Sequence, residues 1–488
     1  MHFIIRLFPE ITIKSPSVRK RMARQLADNI RIIIRREYPC ARVRQDWDKL
    51  DVNVRGLEDD DTARGVTHLL ENIPGIANFA RVRIHAFTDI HSIYESTASI
   101  WGGQLKDNTF RVRAKRTGDH PFTSLELEQY IGGGLLKHFE SAGVNLREPD
   151  ITVQIEVRDD VLYVIEDKRQ GLGGFPIGSQ GDVLSLISGG FDSTVASYFC
   201  IKRGLRTHFC FFNLGGKAHE LGVKEMAYYL WQRYGSSHRV KFVTVPFEGV
   251  VKEILEKVDP SCMGVVLKRL MLQAAERVAK KVKAEALVTG EAVAQVSSQT
   301  LTNLNCIDRA TNALVLRPLA LMNKGDIIDV ARAIGAEALA ASIPEYCGVI
   351  SVKPSASLRL QKVEEAEAAL DISVLEDALE RSYAQLIDAI MADVEKGQSE
   401  VDNVDSPISG DIIIDIRHPD EIELKPLIID WTTVVIPFYT LNETYPTLDA
   451  TKRYLLYCDR GVMSELHASH LKDENYRNVA VYRPSNTA

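Results

Sequence analysis

The spacing of apolar residues changes character along the chain, and each change marks a unit. HFIIRLF near the start is a short apolar run. SVRKRMARQLADNIRIIIRREY (17–38) repeats with a helical period under a strongly basic face, and ARVRQDWDKLDVNV (41–54) alternates every second residue, as a strand does. Together they predict a small α+β unit over residues 1–62. A second α+β unit follows over 63–167, with strand patterns in IANFARVRIHAF (76–87) and PDITVQIEVRDDVLYVIED (149–167). The Gly-rich stretch 168–182 predicts a linker. From 183 to 398, nearly all-apolar strands (VLSLI, THFCFF, KFVTVPF, ALVTG) alternate with long helical runs. Strands apolar on both faces belong in a parallel sheet covered by helices on both sides, a doubly wound α/β domain. Residues 359–398 read as acidic helix, SEVDNVDS as a second linker, and 405–488 return to βα alternation. The expected architecture is therefore a multidomain α/β protein.

Composition changes this picture little, charge and cysteine usage more. Hydrophobic content of 45% and charged content of 26% are ordinary for a globular protein. No apolar run approaches the roughly 20 residues of a membrane span, and the start is too briefly apolar for a secretion signal. A cytoplasmic protein without a membrane partner is expected. Net charge is −7, yet residues 1–55 hold 13 Lys and Arg against 6 Asp and Glu. A basic front on an acidic body suits a module that grips a polyanion, although a solvated helix face has the same composition. The cysteines number seven, and none forms a CxxC pair. A disulfide framework is not expected, and most of these thiols should be small buried hydrophobes.

The stretch LSLISGGFDSTVASY (184–198) carries the clearest chemistry. A buried strand gives way to SGGFDS and then to a helix expected from Thr194. Gly189 and Gly190 let the backbone approach an anion, Ser188 and Ser193 offer hydroxyls, and the helix start adds partial positive charge. GxxxxGK[ST] occurs nowhere, so this is no Walker loop. Asp192 would place an anion beside a polyphosphate, which makes sense if it binds Mg²⁺ or orients a donor. In FRVRAKR the period-two pattern puts Arg111, Arg113 and Lys115, with Arg116 next to them, on a strand that is either an exposed sheet face or a phosphate-tracking stripe.

SGGFDS resembles the pyrophosphate-binding loop of the PP-loop ATPases, which cleave ATP to AMP and pyrophosphate while adenylating a carbonyl oxygen. FRVRAKRTGDHPFTSLELEQYIGGGLL is similar to the THUMP RNA-binding module. YLLYCDRGVMS (454–464) resembles the active-site loop of the rhodaneses, and DIIIDIRHPDE (411–421) the strand that opens that fold. The order ferredoxin-like α+β unit, THUMP, PP-loop ATPase and C-terminal rhodanese-like domain resembles the tRNA 4-thiouridine synthetases, tRNA sulfurtransferases also linked to thiamine thiazole synthesis. VTGEAVAQVSSQTLTNL (288–304) and RPLALMNKGDI (317–327) are similar to that family too.

The resemblance implies ATP with Mg²⁺ as cofactors and adenylation of uridine O4 at tRNA position eight. It implies Cys458 as persulfide carrier, with Cys347 as its disulfide partner. ATP contacts fall on Leu186, Ile187, Ser188, Gly189, Gly190, Asp192, Ser193, Lys268, Gly290 and Gln299, with Lys324 steadying charge at the reacting phosphate. Without the resemblance, Lys268 is a surface lysine and Cys458 a buried thiol. Arg111, Arg113, Lys115 and Arg116 would bind RNA. Implied partners are tRNA, a cysteine desulfurase as sulfur donor and the sulfur carrier protein of the thiamine pathway; a homodimer is one open option for assembly. Thr194 stands where many relatives carry Pro, and as a first helical residue either would serve. His467 and His470 form an HxxH pair able to bind zinc, but Cys458 is better used as a sulfur carrier, and no resident metal site is expected. Three competing readings are another PP-loop tRNA-modifying enzyme, a non-catalytic THUMP protein that only senses ATP, and a sulfur shuttle serving thiamine synthesis alone. The Cys458 loop argues against lysine addition, and intact SGGFDS against a mere sensor.

Overall fold

The computed structural model of the chain describes every residue except 46–48, 57, 58, 215, 344–353, 391–400, 418, 460–463, 465, 466, 469, 470, 473 and 485–488. It divides into two compact units, Met1–Pro176 and Ile177–Ala488.

The first unit is built on one eight-stranded sheet, in the order Arg42–Gln45, Lys49–Asn53, His2–Leu7, Ile76–Ala86, Val161–Gln170, Ile151–Arg158, Thr109–Thr117, Gly143–Val144. Pairing is antiparallel except at the far end, where Thr109–Thr117 runs parallel to both neighbours. Alternation within each strand sends Phe3 and Ile5 to a core shared with helix Pro16–Glu37, while Ile4 and Arg6 face the other way. Val153, Ile155 and Val157 likewise bury against helices Ile90–Trp101 and Ser124–His138.

The boundary expected at residue 62 falls inside helix Asp60–Glu71, whose N-terminus is capped by the Asp59 carboxylate accepting from the Thr62 amide. The apolar stripe of that helix, Val66 and Leu70, packs into the N-terminal core. Strand Ile76–Ala86 pairs with His2–Leu7 on one side and Val161–Gln170 on the other, so hydrogen bonding is continuous across the whole sheet.

In the second unit, Leu314–Leu316, Ala286–Val288, Asp182–Leu186, Arg206–Asn213 and Lys241–Pro246 form a parallel sheet with one apolar cluster on each face. A sixth strand, Tyr383–Leu386, closes the edge antiparallel to Lys241–Pro246, within the stretch expected to be helical. The chain leaves Asp182–Leu186 toward one neighbour and later returns on its other side, so this strand flanks the topological switch point where ligands bind in open α/β sheets. The C-terminal part is a five-stranded parallel sheet, Asn403–Val404, Val479–Tyr482, Arg453–Tyr457, Asp411–Asp415, Thr433–Val435. Cys458 follows its central strand.

Candidate functional site

At the C-terminal end of strand Asp182–Leu186 the chain turns through Gly189 at φ +84, a conformation that disfavours any Cβ. The helix begins at Phe191, not at Thr194. Thr194 is its fourth residue, and its amide already donates to the Gly190 carbonyl (3.2 Å) while its hydroxyl lies 3.4 Å from the Gly189 carbonyl. A proline here would lose that amide bond, so the equivalence expected at a first helical position does not hold. The Ser193 hydroxyl is turned inward: it accepts from the Ser188 amide (3.1 Å) and donates to the Gly190 carbonyl (3.2 Å). In this arrangement it shapes the loop. Below it Ser185 and Ser197 are hydrogen-bonded at 2.8 Å, stitching strand to helix.

Three later segments converge on this loop. Gly290, just past strand Ala286–Val288, lies so close that a Cβ there would sit 2.5 Å from the Asp192 carbonyl carbon and 2.6 Å from the Ser193 nitrogen. Its role is close backbone approach. Asp192 is held at both oxygens, by Lys324 Nζ and by Gln295 Nε2, each at 2.7 Å. Lys324 starts helix Lys324–Ala333 and lies over the Phe191 ring. Lys268 is no free surface lysine: its ammonium sits 2.9 Å from Glu291, which also accepts from Arg317 at 2.9 Å and Thr289 at 3.1 Å. Burial alone would raise the Glu291 carboxyl, but Lys268 and Arg317 outweigh it and hold the group below its ordinary range. Gln299 is buried, and its Oε1 has no hydrogen-bond partner among the described residues, an acceptor awaiting a donor. The Ile187 amide is spent on the Cys210 carbonyl at 2.9 Å, and Leu186 before it is half-buried. Gln295, Glu291 and Arg317 were not singled out from the sequence, although all three lie in segments whose family likeness was visible.

The second centre is the turn after strand Arg453–Tyr457. Cys458 is 8% exposed, and the Ser464 amide donates to its sulfur at 3.3 Å. Arg417 fixes the base of this turn. It is buried against Asp415 (2.6 Å), reaches Asp459 (2.6 Å) and lies over the Tyr457 ring. The other described thiols differ. Cys200 is pushed up to about 12 by burial, Cys210 is raised further by the same cause, Cys262 and Cys306 are buried, and Cys40 is exposed. Cys347 and His470 lie outside the described residues. His467 packs against Glu225.

In the first unit, Arg113 and Lys115 line a groove of about 420 Å³ on the sheet face that carries Ile4 and Arg6. Arg6 and Lys168, missed in the sequence, join them there. Glu156 is the counter-charge of Arg6 and Lys115, 3.9 Å from each, and Arg113 pairs with Glu128 at 3.3 Å. Arg111 is tied to Thr152 and to the Leu146 carbonyl. Arg116 alternates to the opposite face, where it bonds the Gly118 carbonyl, and so leaves the expected RNA stripe.

Fold and site thus define an α/β protein with a PP-loop-like anion cradle, joined to a basic RNA-module-like sheet. The ThiI ferredoxin-like domain matches residues 2–80, the THUMP domain 87–167 and the thiamine biosynthesis protein (ThiI) family 178–372. The tRNA sulfurtransferase of Saccharophagus degradans is 55% identical over 487 residues, covering 99% of this chain and all of the relative; that of Tolumonas auensis is 51% identical with the same coverage. The chain belongs to the tRNA sulfurtransferase family. A 4-thiouridine synthetase solved as an RNA complex with bound ATP aligns with a TM-score of 0.70 and 25% identity, over 79% of this chain and 99% of that one.

Proposed function

We propose that this protein uses ATP to replace O4 of the uridine at tRNA position eight with sulfur. The observation that carries the proposal is the presence, in one compact unit, of an anion-cradling loop and a thiol held by a backbone amide. ATP binds with its phosphates on Gly189, Gly190 and the start of helix Phe191–Lys202, its base near Leu186 and Ile187, and Gln299 as a further contact. The free amides of the first helical turn favour the negative charge. Asp192 offers one carboxylate for Mg²⁺, which fits an ion that keeps most of its waters and takes its other ligands from phosphate. Mg²⁺ would screen the phosphate charge, and Lys324, already on Asp192, would follow that charge as pyrophosphate leaves.

Adenylation converts O4 into AMP, a good leaving group. The terminal sulfur of a Cys458 persulfide then attacks C4 and AMP departs, leaving Cys458 joined to C4 through two sulfurs. A second thiolate attacks the Cys458 sulfur. The S–S bond breaks, 4-thiouridine leaves as its thiolate, and a protein disulfide forms that a dithiol must reduce. Cys347 is the proposed second thiol; it is four residues beyond Ile343, whose side chain packs over Gly189. A cysteine desulfurase supplies the persulfide. The match of residues 178–372 to a thiamine biosynthesis protein supports a second acceptor, the carrier protein of thiazole synthesis. The Cys458 sheet acts as a rhodanese-like sulfur carrier. The tRNA is held in the groove of Arg6, Arg113, Lys115 and Lys168, chiefly through phosphates, and the work is done in the cytoplasm.

The test is to incubate the protein with unmodified tRNA, Mg-ATP, cysteine and a cysteine desulfurase, then weigh the nucleosides. A uridine gaining the oxygen-to-sulfur mass difference, lost in Cys458→Ser while ATP binding persists, is the expected result. Sulfur-free tRNA with ATP still split to AMP and pyrophosphate would mean that the acceptor is wrong.

A further inference from the structure

His467 and Glu225 form a buried pair whose position gives them a task. His467 Nε2 lies 2.8 Å from Glu225 Oε1, and the two side chains are 2% and 5% exposed. The ring is not aimed to make an aligned hydrogen bond to that oxygen, and its Nδ1 has no hydrogen-bond partner among the described residues. The contact is therefore electrostatic and steric. Nothing in ATP binding or sulfur chemistry as described above uses it.

Its two ends lead to the two centres. On one side, Ser464, His467, Ala468 and Leu471 are helical and buried together, and Ser464 is the residue whose amide holds the Cys458 sulfur. His467 is one turn further along. On the other side, Glu225 belongs to helix Gly216–Leu230. Two other residues of that helix touch the anion cradle: His219 Nε2 donates to the Ser188 carbonyl at 3.4 Å, and Val223 would be 3.2 Å from a Cβ on Gly189. A second contact runs alongside. The Phe438 ring lies tilted 6.1 Å from that of His467, and its helix Phe438–Thr444 packs on helix Glu337–Ser342, which itself touches both Gly216–Leu230 and the cradle helix Phe191–Lys202.

We propose, resting on the sulfur-transfer function above, that His467 and Glu225 are positioning residues. They register the sulfur-bearing sheet on the ATP-binding sheet so that Cys458 is presented toward the nucleotide, and they let it leave again. The reversibility follows from the physics of burial. Two polar groups buried against each other without an aligned hydrogen bond lose about as much hydration as they gain from the contact. Such a pair therefore defines where two surfaces meet without gluing them together. A carrier that must visit a sulfur donor and return needs a contact of this kind. An apolar seam of the same size would hold it shut.

The test uses the full-length chain carrying Glu225→Gln, His467→Gln, or the swap of Glu225→His with His467→Glu. Cys458 is first loaded with persulfide, and one turnover on saturating tRNA and Mg-ATP is followed. Each single variant should slow transfer by about tenfold or more, since small misplacements of reacting groups carry costs of that order. KM for ATP and the extent of persulfide loading should stay at wild-type values, and the swap should recover part of the rate. Hydrogen exchange without tRNA should show faster exchange in helices Glu337–Ser342 and Phe438–Thr444 of the single variants. Wild-type transfer and unchanged exchange would overturn the proposal. So would a fall in loading and ATP binding in step with transfer, which marks a general folding defect. If the wild type makes no 4-thiouridine, the proposed function fails, and the exchange measurement still decides the docking role by itself.

Discussion

The anion cradle and the sulfur turn share one plan, a strand end that bends into a helix, yet they are stabilised from opposite directions. The cradle is closed from above by foreign segments: Gly290 presses on its backbone, and Gln295 and Lys324 pin Asp192. The sulfur turn is fixed from below by its own sheet, through Arg417 on Asp415 and Asp459, and its thiol takes one amide from the following helix. On the proposed function, a loop that recognises a fixed phosphate geometry gains from being clamped, and a loop whose sulfur is loaded and unloaded gains from a firm base.

This contrast breaks most sharply at Arg417. Arg417→Ala leaves Asp415 buried and unpaired, at a cost of about 3–5 kcal/mol. Calorimetry should show the C-terminal sheet melting earlier while ATP affinity stays unchanged; loss of ATP binding would mean that the two supports are not separate. Next comes Gly290→Ala. Its Cβ would meet backbone, which cannot step aside, and overpacking of this kind costs about 1–3 kcal/mol. ATP should bind more weakly in equilibrium titration, while persulfide loading at Cys458 stays normal.

The smallest effect is that of pH. Glu291 is held below its ordinary range in the folded state, so unfolding takes up a proton as the solution is acidified. The stability it lends is complete above roughly pH 4.3 and is lost as the pH falls through the lowered value. Chemical melts of the ATP-binding unit followed from neutral to acid pH should lose stability in that window, and Glu291→Gln should flatten the loss. A variant with the wild-type acid profile would assign the acid sensitivity elsewhere.

What was legible in the sequence follows from how local each feature is. SGGFDS could be placed because strand, turn and helix are contiguous, and Cys458 because its turn follows one strand. The clamp of Gly290, Gln295, Lys268, Glu291, Arg317 and Lys324 is assembled from segments past two strands, a helix interior and a helix start, roughly a hundred residues away from the loop, and no periodicity reports such meetings. Family likeness supplied Gly290, Lys268 and Lys324 and left out Gln295, Glu291 and Arg317. Arg116 lies on the face opposite Arg113 and Lys115, as the period of two in strand Thr109–Thr117 requires. Tyr383–Leu386 was missed because YAQL after an acidic helix has no alternation of its own and is a strand only by pairing with Lys241–Pro246.

The seam of the eight-stranded sheet also bears on how this architecture can change over time. The similarity of residues 2–80 to one family and 87–167 to another suggests two interchangeable parts. The backbone does not respect that division: Ile76–Ala86 is hydrogen-bonded to both, and the last strand of the second part, Val161–Gln170, lies beside it in the middle of the sheet. Cutting between the parts would bare two long strand edges at once. Recombination that imports one part without its mate would leave those edges open to pairing with another chain. A protein elsewhere that carries the second part alone must have evolved another cover for that edge.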